Sequence, residues 1–324
     1  MKQSLRHLLD DVLTGHRLTE EEAVRLFETR DRGVWDIAAA ADTLRERAAG
    51  DLVTYVRNQN INVTNLCVNA CGFCGFSRKP GDPDIFFHDE AAVREKVRAA
   101  RGRSVTEICT VSGLHPEFDA QSYIDIISWM RDEAPGVHIH ASNPMEVAYA
   151  AGRSDLSTRE VLMMMQAAGL GTLCGTAAEI LVDSVRRVIC PGKIDTATWV
   201  RVIKEAHELG IRSTATIMYG SCESETDRAR HLAVLREVQD DTGGFTEFVP
   251  LSFVHQKTPL YRAGLARPGA TGREDILMFA VSRLFLDNIR NIQASWVKLG
   301  RKMAGMALLS GANDLGGTLF EESI

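Results

Sequence analysis

The sequence predicts an α/β fold, a full or nearly full (β/α) barrel behind a short helical segment, and three observations predict it. Short apolar or β-branched runs alternate with longer amphipathic segments, which is how repeated βα units around a parallel sheet read. The runs number close to eight. The less ordinary stretches of sequence fall just past the run ends, where such barrels keep their chemistry. A chain of 324 residues fits one barrel with a small appendage.

The first fifty residues carry helical signals. Leu18-Thr19-Glu20-Glu21-Glu22 reads as a capped start, Ala23, Leu26 and Phe27 recur at helical spacing, and a second segment runs from 34 to 49 before Gly50. The expected organisation is therefore an N-terminal helical segment, 1–50, and a barrel with C-terminal elements, 51–324. Strands are predicted at 61–64, 106–111, 137–141, 171–174, 213–219, 246–251, 292–297 and, more weakly, 314–319. Helices are predicted at 90–100, 123–133, 158–168, 196–209, 225–239 and 274–288, several ending in the glycine that often closes a helix. The strand-end sequences are then 67–74, 112–116, 142–144, 175–179, 220–223 and 252–255.

Charged residues make up 25% of the chain and its formal charge is -6, so no basic surface for nucleic acid is indicated. The N-terminus mixes both charge signs, without the apolar core of a secretory signal, and no stretch reaches the length of a membrane span. A cytoplasmic protein without a membrane partner is expected. Seven cysteines, three of them within eight residues, suit reduced thiols that bind something better than a disulfide framework.

Those three are Cys67-Val-Asn-Ala-Cys71-Gly-Phe-Cys74, a CxxxCxxC spacing that lets one loop wrap an iron-sulfur cluster. Three thiolates on a 4Fe-4S cube leave one iron free to chelate a small molecule, as a catalytic zinc keeps an open position. Structural zinc is the rival reading. It prefers four ligands, and Cys109, Cys174, Cys190 and Cys222 are scattered singly. These four read as buried small hydrophobes.

CxxxCxxC after the first barrel strand, with Phe73 before its last cysteine, resembles the radical SAM superfamily. The resemblance implies a TIM-like radical SAM barrel and two cofactors, a 4Fe-4S cluster with three Cys ligands (Cys67, Cys71, Cys74) and S-adenosyl-L-methionine (SAM). In that family SAM binds the open iron and is cleaved reductively to a 5'-deoxyadenosyl radical. Asn60-Ile-Asn-Val-Thr-Asn-Leu-Cys67, Ser112-Gly-Leu-His-Pro116, His138-Ile-His140, Pro144-Met-Glu146, Gly175-Thr-Ala-Ala-Glu179, Ile189-Cys-Pro191 and Met218-Tyr-Gly220 narrow the match. So do 243–251, 292–298 and 311–319. The subgroup they resemble holds the tyrosine-dependent subunit of deazaflavin (FO) synthase, with aminofutalosine synthase and cyclic dehypoxanthine futalosine synthase. Gly175-Thr-Ala-Ala-Glu179, Phe248-Val-Pro-Leu-Ser-Phe-Val-His255 and Gly81-Asp-Pro-Asp84 look most like the FO-synthase type, which moves the 4-hydroxybenzyl group of L-tyrosine onto a ribityl-pyrimidine. The implied partners are those two small molecules, an external electron donor such as flavodoxin or ferredoxin, and a second radical SAM subunit of FO synthase.

The resemblance and the strand-end logic together nominate site residues. For the cofactors they are Phe73, Phe76 facing adenine, Gly113 allowing close approach to the SAM amino group, Glu179 near the ribose, and Arg186 for the methionine carboxylate. Their bland alternatives are a shield for the cluster, a turn glycine and a solvated surface pair. For catalysis they are His115 and His140 as hydrogen-bonding or proton-relaying groups, and Tyr219 and Glu223 facing the barrel mouth. Each is otherwise a satisfied structural residue. The family pattern has His where Ser221 stands, and departs also at Ser112 and at Ser142-Asn143, which leaves another acceptor or substrate open. The C-terminus at Ile324 comes earlier than the resemblance leads one to expect. A futalosine-pathway enzyme is the nearest alternative, and an iron-sulfur electron carrier or sensor, or a zinc-stabilised binding module, the alternatives of other classes.

Overall fold

Six parallel strands, each hydrogen-bonded to the next in chain order, carry the molecule, and short pairings close them into a ring. The computed structural model describes residues 4–321. Three helices come first, α1 (Leu5–Leu13), α2 (Glu20–Phe27) and α3 (Gly33–Ala49). Thr19 and Glu22 form a reciprocal capping box at α2, as the acidic run after Thr19 predicts. Then follow β1 (Thr54–Val56), β2 (Asn58–Asn60), α4 (Glu90–Gly102), β3 (Glu107–Thr110), α5 (Ala120–Glu133), β4 (His138–Ala141), α6 (Pro144–Ser154), α7 (Thr158–Ala168) and β5 (Thr172–Leu173). The second half runs α8 (Asp183–Ile189), α9 (Thr196–Glu208), β6 (Arg212–Tyr219), α10 (Glu225–Thr242), β7 (Phe245–Ser252), α11 (Pro259–Arg262), α12 (Gly272–Phe285), α13 (Trp296–Leu308) and β8 (Asp314–Gly317).

The sheet order is β2-β3-β4-β5-β6-β7. Beyond β7, Phe248 bridges to Ile292, Gln293 bridges to Asp314, β8 pairs with β1, and Phe320 returns to Gln59. The last pairing brings the chain back beside β2, so the α/β barrel predicted from the sequence is closed. Two strand predictions need correction. The first strand of the six-stranded sheet lies at 58–60 and not at 61–64, because buried amides build it. Asn58 Nδ2 donates to Glu107 Oε1 and Gln59 Nε2 to Phe320 O, which an apolar-run rule does not see. The predicted strand at 292–297 shrinks to bridges at Ile292 and Gln293, since α13 begins at Trp296.

Helix α6 carries no prediction, although Asn143 caps it, accepting from Met145 N at 3.0 Å and Glu146 N at 3.1 Å, with Pro144 in its first turn. Alternation along β6 sorts its side chains. Ser213 Oγ meets His207 of α9 at 2.8 Å and Tyr219 reaches Asp275 of α12, so odd positions face the helix layer, while Thr214 and Thr216 hydrogen-bond Gly175 at the end of the neighbouring strand. The N-terminal helices do not stand apart from the barrel. Leu8, Leu26, Phe27, Ile37 and Ala41 join the same buried core as α12, and Arg17 spans Asp240 and Asp287. No helix among the described residues is long and apolar enough to cross a membrane.

Candidate active site

The three clustered cysteines sit on the loop leaving the first strand, at the end of the barrel where strand C-termini gather. The loop is tied at four points. Cys67 N donates to Arg78 O at 3.0 Å, Val68 N to Leu114 O at 2.9 Å, and Gly72 N to Ile189 O at 2.8 Å, while Gly72 O accepts from Leu260 N at 2.8 Å. The Arg78 guanidinium then gathers the carbonyls of Gly75, Phe76 and Ser77. These ties anchor the main chain that carries the three thiols.

Their sulfurs are already treated as acceptors. Leu114 N points at Cys67 Sγ and Ser77 N at Cys74 Sγ, each at 3.3 Å. The thiols also feel one another's charge. Burial pushes Cys71 up to about 12, with the nearby Lys193 ammonium working against that. Soft donors, backbone N–H groups at sulfur and a nearby cation fit an iron-sulfur cluster.

Lys193 is the residue the sequence did not point to. Its ammonium pairs with Glu179 and lies 5.2 Å from the centroid of the Phe73 ring. Burial would lower its pKa, but the Glu179 carboxylate and Cys71 outweigh that and raise it. Glu179 itself holds a left-handed backbone, φ 45°, and its carbonyl accepts from Met218 N. Phe73, Glu179 and Lys193 thus form one charged and aromatic wall beside the cysteine loop, and Phe76 meets Phe86 edge-on at 6.0 Å.

Several nominated residues do other work. The Arg186 guanidinium is occupied by main-chain carbonyls, those of Ala177, Ala178, Ile180 and Ile194, so it shapes the Glu179 loop and has no donor pair turned to a carboxylate. Gly113 is required by the chain itself, because a Cβ there would stand 2.3 Å from Leu66 O. Tyr219 faces outward and donates to Asp275 Oδ1 at 2.8 Å. Glu223 is buried, accepts from Gly220 N and Ser221 N, and pairs with Arg228 at 2.7 Å, which also holds Glu274. Neither Tyr219 nor Glu223 faces the barrel mouth, because the strand alternation and the turn after β6 direct them to the helix layer. The sequence departures are absorbed the same way. Ser221 Oγ donates to Glu223, Ser112 Oγ accepts from Val63 N, and Asn143 caps α6.

His115 packs between Phe87 and Phe118 in the loop after β3. His140 faces the lumen, its Nδ1 at 2.8 Å from Thr172 Oγ1, and burial pushes its pKa down to about 4, which keeps it neutral. Glu146 is buried beside Tyr123, with Oε2 and the tyrosine hydroxyl both lacking a hydrogen-bond partner, and burial raises its pKa to about 8.

A closed parallel barrel with a CxxxCxxC loop leaving its first strand is the arrangement of a radical SAM enzyme. Residues 61–235 match the radical SAM superfamily model and residues 242–324 the CofH/MqnC C-terminal region. The chain is 79% identical over its whole length, and over 88% of the relative, to 5-amino-6-(D-ribitylamino)uracil–L-tyrosine 4-hydroxyphenyl transferase of Methanoculleus marisnigri. It is 45% identical, over 94% of its length but only 36% of the relative, to FO synthase of Mycobacterium leprae. The fold matches methylornithine synthase (PylB) with a TM-score of 0.77 at 18% identity, over 99% of this chain and 87% of that one. The chain belongs to the radical SAM superfamily and, within it, to the 5-amino-6-(D-ribitylamino)uracil–L-tyrosine 4-hydroxyphenyl transferase family.

Proposed function

We propose that this protein transfers the 4-hydroxybenzyl group of L-tyrosine to 5-amino-6-(D-ribitylamino)uracil, with SAM and a 4Fe-4S cluster held by Cys67, Cys71 and Cys74. The observation that carries the reading is the 79% identity across all 324 residues to a transferase of that name. Reduced and in place, the cluster and SAM supply a 5'-deoxyadenosyl radical that accepts a hydrogen atom. The chain's own part is to hold and shield. The three thiols would hold the cluster, and the loop that carries them is anchored by its backbone hydrogen bonds. Lys193 and Glu179 line the approach to that loop and offer a cation and an anion to the amino-acid and ribose ends of SAM, with Phe73 and Phe76 as apolar cover.

FO synthase of Mycobacterium leprae is much longer than this chain, which supports a second subunit that processes the coupled product here. A low-potential flavodoxin or ferredoxin is the matching class of electron donor. Anaerobic reconstitution with iron and sulfide, followed by reduction with SAM, tyrosine and the ribitylaminouracil, tests the proposal by mass spectrometry. Coupled product together with 5'-deoxyadenosine is expected. Deoxyadenosine without coupling sinks the substrate assignment, and Cys67→Ala, Cys71→Ala or Cys74→Ala each should abolish both products and lower the bound iron.

A further inference from the structure

Cys109, His140 and Cys174 each look ordinary in the sequence, and the barrel brings them to one point. Cys109 of β3 pairs in register with His140 of β4, and His140 with Thr172 of β5. Period-two alternation turns 109, 140, 172 and 174 to the same luminal face. The two thiol sulfurs and a His140 ring nitrogen all lie within 4.8 Å of one another.

That spacing suits ligands of a single ion, since metal–ligand bonds of roughly 2.0–2.3 Å in a tetrahedron put donors about 3.5–4 Å apart. The surroundings add a second, independent sign. Thr172 Oγ1 holds His140 Nδ1 at 2.8 Å and also meets His138 Nε2 at 2.7 Å, which fixes the His140 ring and leaves Nε2 to bind. An outer hydrogen bond of this kind is what orients metal-bound imidazoles. Cys174 is buried, while Cys109 and His140 are half-buried.

We propose that Cys109, His140 and Cys174 hold one soft divalent metal ion of the zinc class inside the barrel, with its fourth position open to the lumen. Two thiolates and an imidazole exclude the hard, oxygen-preferring cations. Three protein ligands with an open position are the arrangement of catalytic zinc, so the ion is placed to take an oxygen or nitrogen of a molecule entering the lumen. The site is separate from the cysteine loop and does not depend on the transferase reading.

The test uses cluster-loaded holoenzyme, incubated anaerobically with Zn2+, desalted and counted for metals. One zinc per chain beyond the cluster iron is expected, and Co2+ in its place should give thiolate charge-transfer and tetrahedral absorption. Cys109→Ser and Cys174→Ser should remove that signal, and Thr172→Val, which leaves all three ligands, should weaken zinc binding about tenfold. In the unmutated holoenzyme zinc should slow alkylation of the half-buried Cys109 at least about tenfold, with the exposed Cys222 as an unaffected control. No zinc beyond the cluster, zinc retained by both serine variants, or iron and sulfide at these residues in its place would overturn the proposal. Because every readout is a metal count, a spectrum or a labelling rate, failure of the coupling reaction leaves the result intact.

Discussion

At the scale of single residues, the site turns on whether a polar side chain faces the lumen or is already occupied. Lys193 and Glu179 are buried against each other, so removing one leaves the other uncompensated. Lys193→Met should cost about 3 kcal/mol in denaturant unfolding, and adding Glu179→Gln should recover part of it. Tyr219 is the opposite case. Tyr219→Phe loses one hydrogen bond to Asp275 at the helix layer, so stability should fall by about 1 kcal/mol while the rate of SAM cleavage stays within about twofold. A large rate loss there would show that Tyr219 reaches the substrate after all. The crowding of Cys67, Cys71 and Cys74 on one loop was legible in the sequence because the three lie within eight residues of one another. Lys193 was not, because a lysine in Cys190-Pro-Gly-Lys193 gains its meaning only when that loop folds back beside Cys71.

At the scale of elements, local signals located most helices well. The boundaries of α7 match the apolar spacing, since Ser157 and Glu160 form a capping box and Gly169 closes the helix in a left-handed turn. Helix α6 escaped although Asn143 followed by Pro144 is an ordinary helix start, because that stretch was read as a strand-end loop. Asn143→Ala should therefore lower stability by about 1 kcal/mol, seen as a reduced melting temperature, with cluster content unchanged. Strands were harder. The closing strand 58–60 is polar, and its amides are stabilised by Glu107, Phe320 O and Leu319 N from other strands, partners no local window contains.

At the scale of the whole molecule, the closed ring buries carboxyl groups that water would otherwise ionise. Burial, with Asp314 and Glu107 nearby, raises Glu247 to about 8. A carboxylic acid whose pKa is higher in the fold than in the open chain adds no penalty below the open-chain value of 4.5. The penalty grows as pH rises from there and levels off above about 8. Stability should thus decline between pH 5 and pH 8, and Glu247→Gln should flatten the decline by an amount on the order of a few kcal/mol when denaturant midpoints are compared at the two ends. An unchanged pH dependence in the variant would mean that Glu247 stays hydrated and ionised. The sequence by itself determined the barrel class and the gathering of three cysteines on one strand-end loop, because βα alternation and CxxxCxxC spacing are written in consecutive residues. Only the tertiary structure decided which polar side chains face the lumen, because that depends on strand register and closure. The same folding turned Tyr219 and Glu223 to the helix layer and gathered Cys109, His140 and Cys174 from β3, β4 and the end of β5.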